Sequence, residues 1–216
     1  MNNLISKVAE NLTKNNMQAF VVDKRDEILP LLKNLLPDGA SVGVGGSVTL
    51  DEIGVIPFLR EGNYAFFDRY AEGLSRLEAV EIMRQALLSD VFITSSNAVT
   101  EKGELYNVDG NGNRVAALCF GPKEVIVIVG ANKIVKDLKA AEERVKTIAA
   151  PKNCARLGLE SPCFKNGECA SIGFKNREMC DGCRTDSRIC STYVLSGYQR
   201  NKNRIKVILC KENLGY

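Results

Sequence analysis

The chain reads as an α/β protein: a mainly parallel sheet with helices on both faces, carrying a cysteine-rich C-terminal insertion. Three observations predict this. Short apolar runs with the length of buried strands, such as QAFVV (18–22), DVFITSS (90–96) and EVIVIVG (124–130), alternate with stretches of helical periodicity. Strands and helices in alternation imply a parallel sheet covered on both faces. Residues 151–190 then lose apolar periodicity and fill with Cys, Gly, Asn and Lys. Such a stretch is too long for an ordinary structureless connection and needs an internal staple.

The elements come in this order. Leu4, Ile5, Val8, Ala9 and Leu12 recur at helical spacing, so an amphipathic helix comes first. QAFVV is a short buried strand. DEILPLLKNLL (26–36) is a helix closed or kinked around Pro30 and ended by Pro37-Asp38-Gly39. SVGVGG (41–46) is a strand running into a glycine turn, and a helix starts at Ser47. YAFFD (64–68) is a strand, SRLEAVEIMRQALLS (75–89) a helix and DVFITSS a strand. GELYNVDGNGNRVAALCF (103–120) predicts a β-hairpin, because Asp109-Gly110 and Asn111-Gly112 are tight-turn dipeptides between apolar flanks. EVIVIVG precedes a long helix, KIVKDLKAAEERVKTIAA (133–150), and RIKVILC (204–210) is a last strand. The expected organisation is one α/β domain, 1–216. Within it, 151–203 is a metal-binding cysteine segment and 204–210 returns to the sheet.

Composition narrows the function classes. At 216 residues the chain can bury one good core, or a core with a small appendage. A net charge of +3 is too small and too dispersed to argue for a nucleic-acid partner. No apolar run reaches the roughly 18 residues of a membrane helix, and MNNLISKVAENL lacks a signal-peptide core. The expected compartment is therefore the cytoplasm, where structural disulfides are rare. The chain has no histidine. That excludes Ser–His–Asp and Cys–His catalysis within one chain and every zinc site that needs histidine. Acid–base chemistry falls to Asp, Glu, Lys, Cys or Tyr.

The glycine turn GVGGSVT (43–49) matches neither a dinucleotide fingerprint, whose sixth position here is Val48, nor a Walker A loop. Its glycines let backbone N–H groups approach an anion at a helix start. The plainer reading is a tight turn with ordinary capping, in which Ser47 or Thr49 caps and Thr49-x-x-Glu52 forms a capping box. Asp68, at the end of the next strand, is a weaker candidate for binding a ribose. SSNAVTEKGELYNVDGNGNR (95–114) is denser in polar groups than its flanking strands require. It starts at a strand end, where ligands bind in open α/β sheets. Asn97, Thr100, Glu101, Glu104, Asp109, Asn113 and Arg114 are candidates here. Glu101 or Glu104 is placed to act as nucleophile or base, and Arg114 to hold an anion bidentately. A polar hairpin explains Asp109 to Asn113 equally well. Lys133, in GANK (130–133), is either an anion ligand or an exposed first-turn residue.

Cys119 and Cys210 fall in expected strands and read as small buried hydrophobes. The other six cysteines lie between 154 and 190. Cys163, Cys180, Cys183 and Cys190 have one CxxC pair and two outlying thiols. Both zinc and a [4Fe-4S] cluster accept four thiolates. One tight pair with two singletons suits the spread corners of a cluster at least as well as a single ion. A disulfide framework or a thioredoxin-like redox pair fits the compartment or the local pattern less well.

Taken together, VGVGGSVTLDEIG (42–54), SSNAVTEKGELYNVDGNGNRVAA (95–117), GPKEVIVIVGANKIV (121–135), APKNCARLG (150–158), Pro162-Cys163, CDGC (180–183), RIC (188–190) and RIKVILCKENLGY (204–216) resemble the lactate-utilisation (LUD) domain family. The resemblance implies a fold like that of ribose-5-phosphate isomerase, glucosamine-phosphate deaminase and CoA transferases. In those proteins the glycine turn lies beside phosphate or CoA substrates and nearby carboxylates do the chemistry. The resemblance puts Gly45, Gly46, Ser47 and Thr49 at the anion end, and Asn97, Thr100 and Glu101 at the chemical end. Thr100–Gly103 is loosely similar to the catalytic glutamate loop of CoA transferases. It also groups Cys163, Cys180, Cys183 and Cys190 as one metal site. The interval before Cys180 is longer than the family's, and Cys169 within it is a rival ligand. The expected function is a subunit or accessory of an iron–sulfur-dependent lactate (2-hydroxy acid) oxidation system with a [4Fe-4S] cluster, or zinc in its place. Expected partners are a small anionic, phosphate or CoA-type ligand and iron–sulfur oxidoreductase subunits. The alternatives are a stand-alone CoA-transferase-like or sugar-phosphate-isomerase-like enzyme using Glu101, and a non-catalytic anion-binding module.

Overall fold

The computed structural model describes residues 2–216. Along the chain the strands are β1 (Gln18–Val22), β2 (Ser41–Val44), β3 (Ala65–Phe66), β4 (Val91–Thr94), β5 (Ala98–Thr100), β6 (Leu105–Asp109), β7 (Glu124–Gly130), β8 (Ile134–Val135), β9 (Thr192–Ser196) and β10 (Ile205–Cys210). The helices are α1 (Asn2–Lys14), α2 (Ile28–Leu35), α3 (Val48–Ile53), α4 (Val55–Glu61), α5 (Arg76–Gln85), α6 (Asn113–Cys119), α7 (Leu138–Arg144), α8 (Ala150–Arg156) and α9 (Pro162–Asn166). A π-helical turn, Val145–Ala149, joins α7 to α8.

Six strands pair in parallel in the order β1-β10-β7-β4-β2-β3. The fold is α/β, as the alternation of apolar runs and helical periods predicts. Side-chain alternation splits the core between the two faces. Ile126 and Ile128 of β7 and Ile208 of β10 pack with Ile28, Leu32, Leu50 and Leu59 from α2, α3 and α4. Val125, Val127 and Val129, with Val207 and Leu209, face Ile5, Val8 and Leu12 of α1 and Leu118 of α6. Each such fully buried side chain contributes about 1.5–3 kcal/mol. β10 enters between β1 and β7 after the cysteine segment, with Val207 opposite both Ala19 and Val127.

A second, mixed sheet, β8-β5-β6-β9, packs on α1 through Val99 and Leu105. Its hairpin is β5–β6, one element earlier than the turn dipeptides predict. The hairpin expected over 103–120 is not formed: β6 stops at Asp109 and residues 113–119 are α6. Asp109 Oδ2 accepts the backbone N–H of Arg114 at 3.0 Å and of Val115 at 3.2 Å, capping the helix. Gly112, at φ 82°, supplies the left-handed turn into it. The Asp-Gly and Asn-Gly signals mark a sharp turn, but burial of Val115, Ala117 and Leu118 makes the next element a helix. Cys119 is consequently exposed at a helix end instead of buried in a strand.

Two further expectations change. The long helix starts at Leu138, not Lys133, because Asp137 caps it by accepting the Ala140 N–H at 2.9 Å. Residues 131–135 form a 3-10 turn and β8. β9 lies inside the expected cysteine segment, 151–203, and pairs antiparallel with β6, so that segment is tied to the fold by backbone pairing. Among the described residues no helix is long and apolar enough to cross a membrane.

Candidate functional site

The carboxyl ends of β2, β4 and β7 open onto one cavity of about 400 Å³. This is where open α/β sheets bind ligands. The turn after β2 brings Gly46 and Ser47, the segment after β4 brings Ser95 to Asn97, and the turn after β7 brings Lys133. Six cationic side chains line it, from Arg69, Arg76, Arg114, Lys133, Arg156 and Arg188, against two acidic ones, Asp109 and Asp186. That excess makes the cavity attractive to anions.

Lys133 is 3% exposed. Its Nζ donates to Thr49 Oγ1 at 2.7 Å and Ser95 Oγ at 3.0 Å, both neutral. Burial pushes the ammonium down from 10.5 to about 7, Arg144 and Arg114 push it further, and Glu52 pulls the other way. A buried ammonium held by hydroxyls alone is costly unless a ligand supplies the counter-charge.

Arg114 lines the same cavity but is spoken for. Its Nη1 donates to Ser95 O at 3.1 Å and Asn107 Oδ1 at 2.7 Å. Its Nη2 donates to Asn97 Oδ1 at 2.9 Å and Val108 O at 2.8 Å. Four of its five N–H groups are therefore used by the protein, and Nε stands 4.0 Å from Asp109. The bidentate anion role expected of Arg114 is not available in this geometry. Arg114 instead ties the segment after β4 to β6 and α6.

The other sequence candidates divide cleanly. Gly46, Ser47, Asn97 and Asn113 line the cavity. Gly45 lies behind it: a Cβ there would meet Thr94 Oγ1 at 2.7 Å and the Arg114 stem at 3.0 Å, so glycine is required by close approach. Thr49 is fully buried and serves Lys133, donating in turn to Leu214 O at 3.3 Å. The capping box with Glu52 is not formed, since Glu52 accepts the Gly215 N–H. Thr100, at the end of β5, and Glu101 and Glu104, in the β5–β6 turn, lie away from the cavity lining. Glu101 pairs with Lys7 at 2.8 Å, and Glu104 accepts from Thr100 Oγ1 at 2.7 Å. The expected nucleophile or base is thus placed outside the cavity lining, where α1 packs against this turn and its Lys7 pairs with Glu101. Asp68 pairs with Arg60 at 2.7 Å and does not line the cavity.

A second, much smaller void of about 20 Å³ lies behind the first. Cys163, Cys169, Cys183 and Cys190 line it, together with Lys146 and Tyr193. Cys180 of the expected set is exposed, whereas Cys169 is buried on the wall. Cys154 stands next to the group, with its Sγ 3.7 Å from Cys163 Sγ. Burial pushes the Cys163 thiol up to about 11, with Cys154 and Cys183 adding to the shift. Among the described residues no three Cys, Asp or Glu side chains converge on one metal position, so the thiols stand round the walls. The Tyr106 hydroxyl, buried and without a hydrogen-bond partner among the described residues, is within electrostatic reach of Cys180 and Cys190. The potential donors around this void are thiols, the ligand type that soft metals take, but they form no metal position among the described residues. Cys190 lines both voids and so forms part of the partition between them.

The model of the LUD domain matches residues 5–210. This chain belongs to the LUD domain family. A crystal structure of a DUF162 family protein from Deinococcus radiodurans matches with a TM-score of 0.52 at 15% identity, covering 96% of each chain. Ribose 5-phosphate isomerase A from Methanocaldococcus jannaschii gives a TM-score of 0.35 at 17% identity, covering 82% of this chain and 80% of that one. No curated protein matches. In this LUD domain, sequence reasoning missed Arg69, Arg76, Arg156, Arg188 and Asp186 as cavity residues. They come from segments scattered between 69 and 188, with no local motif. Only Arg156 inside APKNCARLG and Arg188 inside the RIC triplet offered a signal.

Proposed function

We propose that this LUD-domain protein binds a small organic anion in the strand-end cavity. It works as a subunit or accessory of an iron–sulfur-dependent system that oxidises lactate or a related 2-hydroxy acid. Lys133 carries the reading: a buried ammonium held only by neutral hydroxyls, facing a cavity rimmed by arginines. A ligand carboxylate there supplies the missing counter-charge. Family membership supports the 2-hydroxy acid as substrate class. The thiol void would hold the metal centre, a [4Fe-4S] cluster with zinc as its rival, through Cys163, Cys169, Cys183 and Cys190. A bound cluster would supply one-electron transfer beside the anion. Lys146, buried against the same void, offsets part of the thiolate charge.

The surplus of cationic side chains favours a second reading, a phosphorylated or CoA-type ligand turned over by a stand-alone enzyme. In that reading the acid–base group within the cavity is the Lys133 amine, suited to proton transfer near neutral pH. Calorimetric titration of the full chain with L-lactate and with ribose 5-phosphate separates the two. Binding of L-lactate that is lost in Lys133→Met supports the first. Binding of the phosphate ester alone favours the second, and binding of neither removes the cavity as an anion site. Iron, acid-labile sulfide and zinc analysis after anaerobic purification decides the metal, and one zinc without iron removes the electron-transfer role.

A further inference from the structure

We propose that Arg188 is a positioning residue that couples the anion cavity to the cysteine loop, so that an anion in the cavity holds the metal-binding thiols closed. The inference rests on the proposed anion cavity and thiol site and adds the link between them. Arg188 Nε donates to the carbonyl of Cys190 at 2.9 Å, Nη1 to that of Cys183 at 2.9 Å, and Nη2 to that of Cys180 at 2.7 Å. One guanidinium thus holds the backbone at three cysteines. Each terminal nitrogen still has an N–H that these bonds leave unused. The same side chain lines the anion cavity with Ile189 and Cys190.

The partition around it is tight. A Cβ on Gly182 would meet the Arg188 Cζ at 3.5 Å, so the guanidinium lies in van der Waals range of the CxxC backbone. On the far side, Ser191 N donates to Asp109 O at 3.0 Å, and a Cβ on Gly110 would come 3.3 Å from the Ile189 backbone. Movement of segment 186–190 therefore changes the cavity wall and the thiol wall together. The carbonyl acceptors are neutral, and the side chains that interact with the guanidinium, Tyr193 and Cys190, are weak acids, so no carboxylate forms an ion pair with it among the described residues. An anion in the cavity supplies the counter-charge and favours the clamped loop. Linkage then requires the reverse: a filled thiol site tightens anion binding by the same factor.

The metal-free full chain tests this with inorganic phosphate as the probe, its binding measured calorimetrically on the same sample. The readout is the maleimide alkylation rate of Cys169 and Cys183, which line the thiol void but not the anion cavity, so direct shielding cannot slow them. Cys119, exposed on α6, is the internal control. Phosphate is expected to slow Cys169 and Cys183 on the order of tenfold and to leave Cys119 unchanged. Arg188→Lys keeps a charge but loses the planar fork. It should alkylate fast with or without phosphate while still binding phosphate through Lys133. In the zinc-loaded chain, release to a chelator should show the same pattern. Phosphate that binds wild type without slowing alkylation overturns the coupling and leaves the cavity reading standing. Phosphate that does not bind overturns both. An Arg188→Lys chain that keeps the phosphate effect removes the guanidinium from the role.

Discussion

Lys133 and Arg114 occupy one cavity, yet their chemistry is opposite. Arg114 spends its fork on four protein acceptors, so truncation leaves Asn97, Asn107 and two carbonyls short of donors. Arg114→Ala should cost about 3–5 kcal/mol, read by denaturant unfolding, and Arg114→Lys should not restore it. Lys133 is a liability to the empty fold. Its folded-state value, about 7, lies below the ordinary 10.5, so the unfolded chain holds that proton more tightly. Stability from this group is therefore lowest at and below pH 7 and rises toward pH 10.5. Lys133→Met should remove that rise and leave the ligand-free protein equally or more stable at about pH 6, by up to about 4 kcal/mol. Anion affinity has the opposite need, a charged amine, and should fall as pH climbs through about 7. Thermal melts and titrations of both proteins across roughly pH 6 to 9 read the two effects separately. A lysine just beyond a strand core is visible in the sequence; whether it is paired is not, because its neighbours Thr49 and Ser95 lie 84 and 38 residues away.

At the level of elements, the β5–β6 turn shows why the carboxylates nearest a family-like motif are not in the cavity. Gly103, at φ 76°, packs so closely on α1 that a Cβ would meet the backbone of Leu12 at 2.6 Å and Asn11 at 2.7 Å. Asn11 and Asn15 side chains donate to carbonyls in the same turn. Gly103→Ala should cost more than about 1 kcal/mol through strain in the turn, together with displacement of α1, and hydrogen exchange along residues 3–14 should report it. Glu101→Gln breaks an exposed pair with Lys7 and should cost no more than about 1 kcal/mol. It should also leave ligand binding unchanged, which calorimetry checks. Strand existence was legible in the parallel sheet, where β4, β7 and β10 are apolar runs buried along their length, but β5, β8 and β9 of the second sheet were missed. The misread hairpin had correct turn chemistry. A short run of Asn, Asp and Gly specifies a reversal, while long-range burial of Val115 and Leu118 turns the chain beyond it into a helix.

For the whole molecule, the cysteine segment supplies part of the cavity wall through residues 186–190, tethered by β9 on β6 and by the Cys169 N–H on Lys146 O at 2.8 Å. If the thiols hold a metal, its removal should lower Tm, and exchange protection should be lost over 160–190 before the parallel sheet is affected. Cys169→Ser should weaken metal retention more than Cys180→Ser, because Cys169 is on the wall of the void and Cys180 is exposed; metal-to-protein ratios of the two variants measure it, and the reverse order would restore the set that spacing alone suggests. By itself the sequence determined the α/β class, the strand-end position of the polar cluster, the histidine-free chemistry and the family. Each rests on local pattern: apolar runs, helical periods, glycine turns and cysteine spacing. Only the tertiary structure decided which charges face the cavity, which are already neutralised, and which cysteine stands inside. Those outcomes depend on contacts between segments tens of residues apart. A side chain such as Arg114 or Glu101 has the same charge either way, and its partners alone decide whether it is free to act.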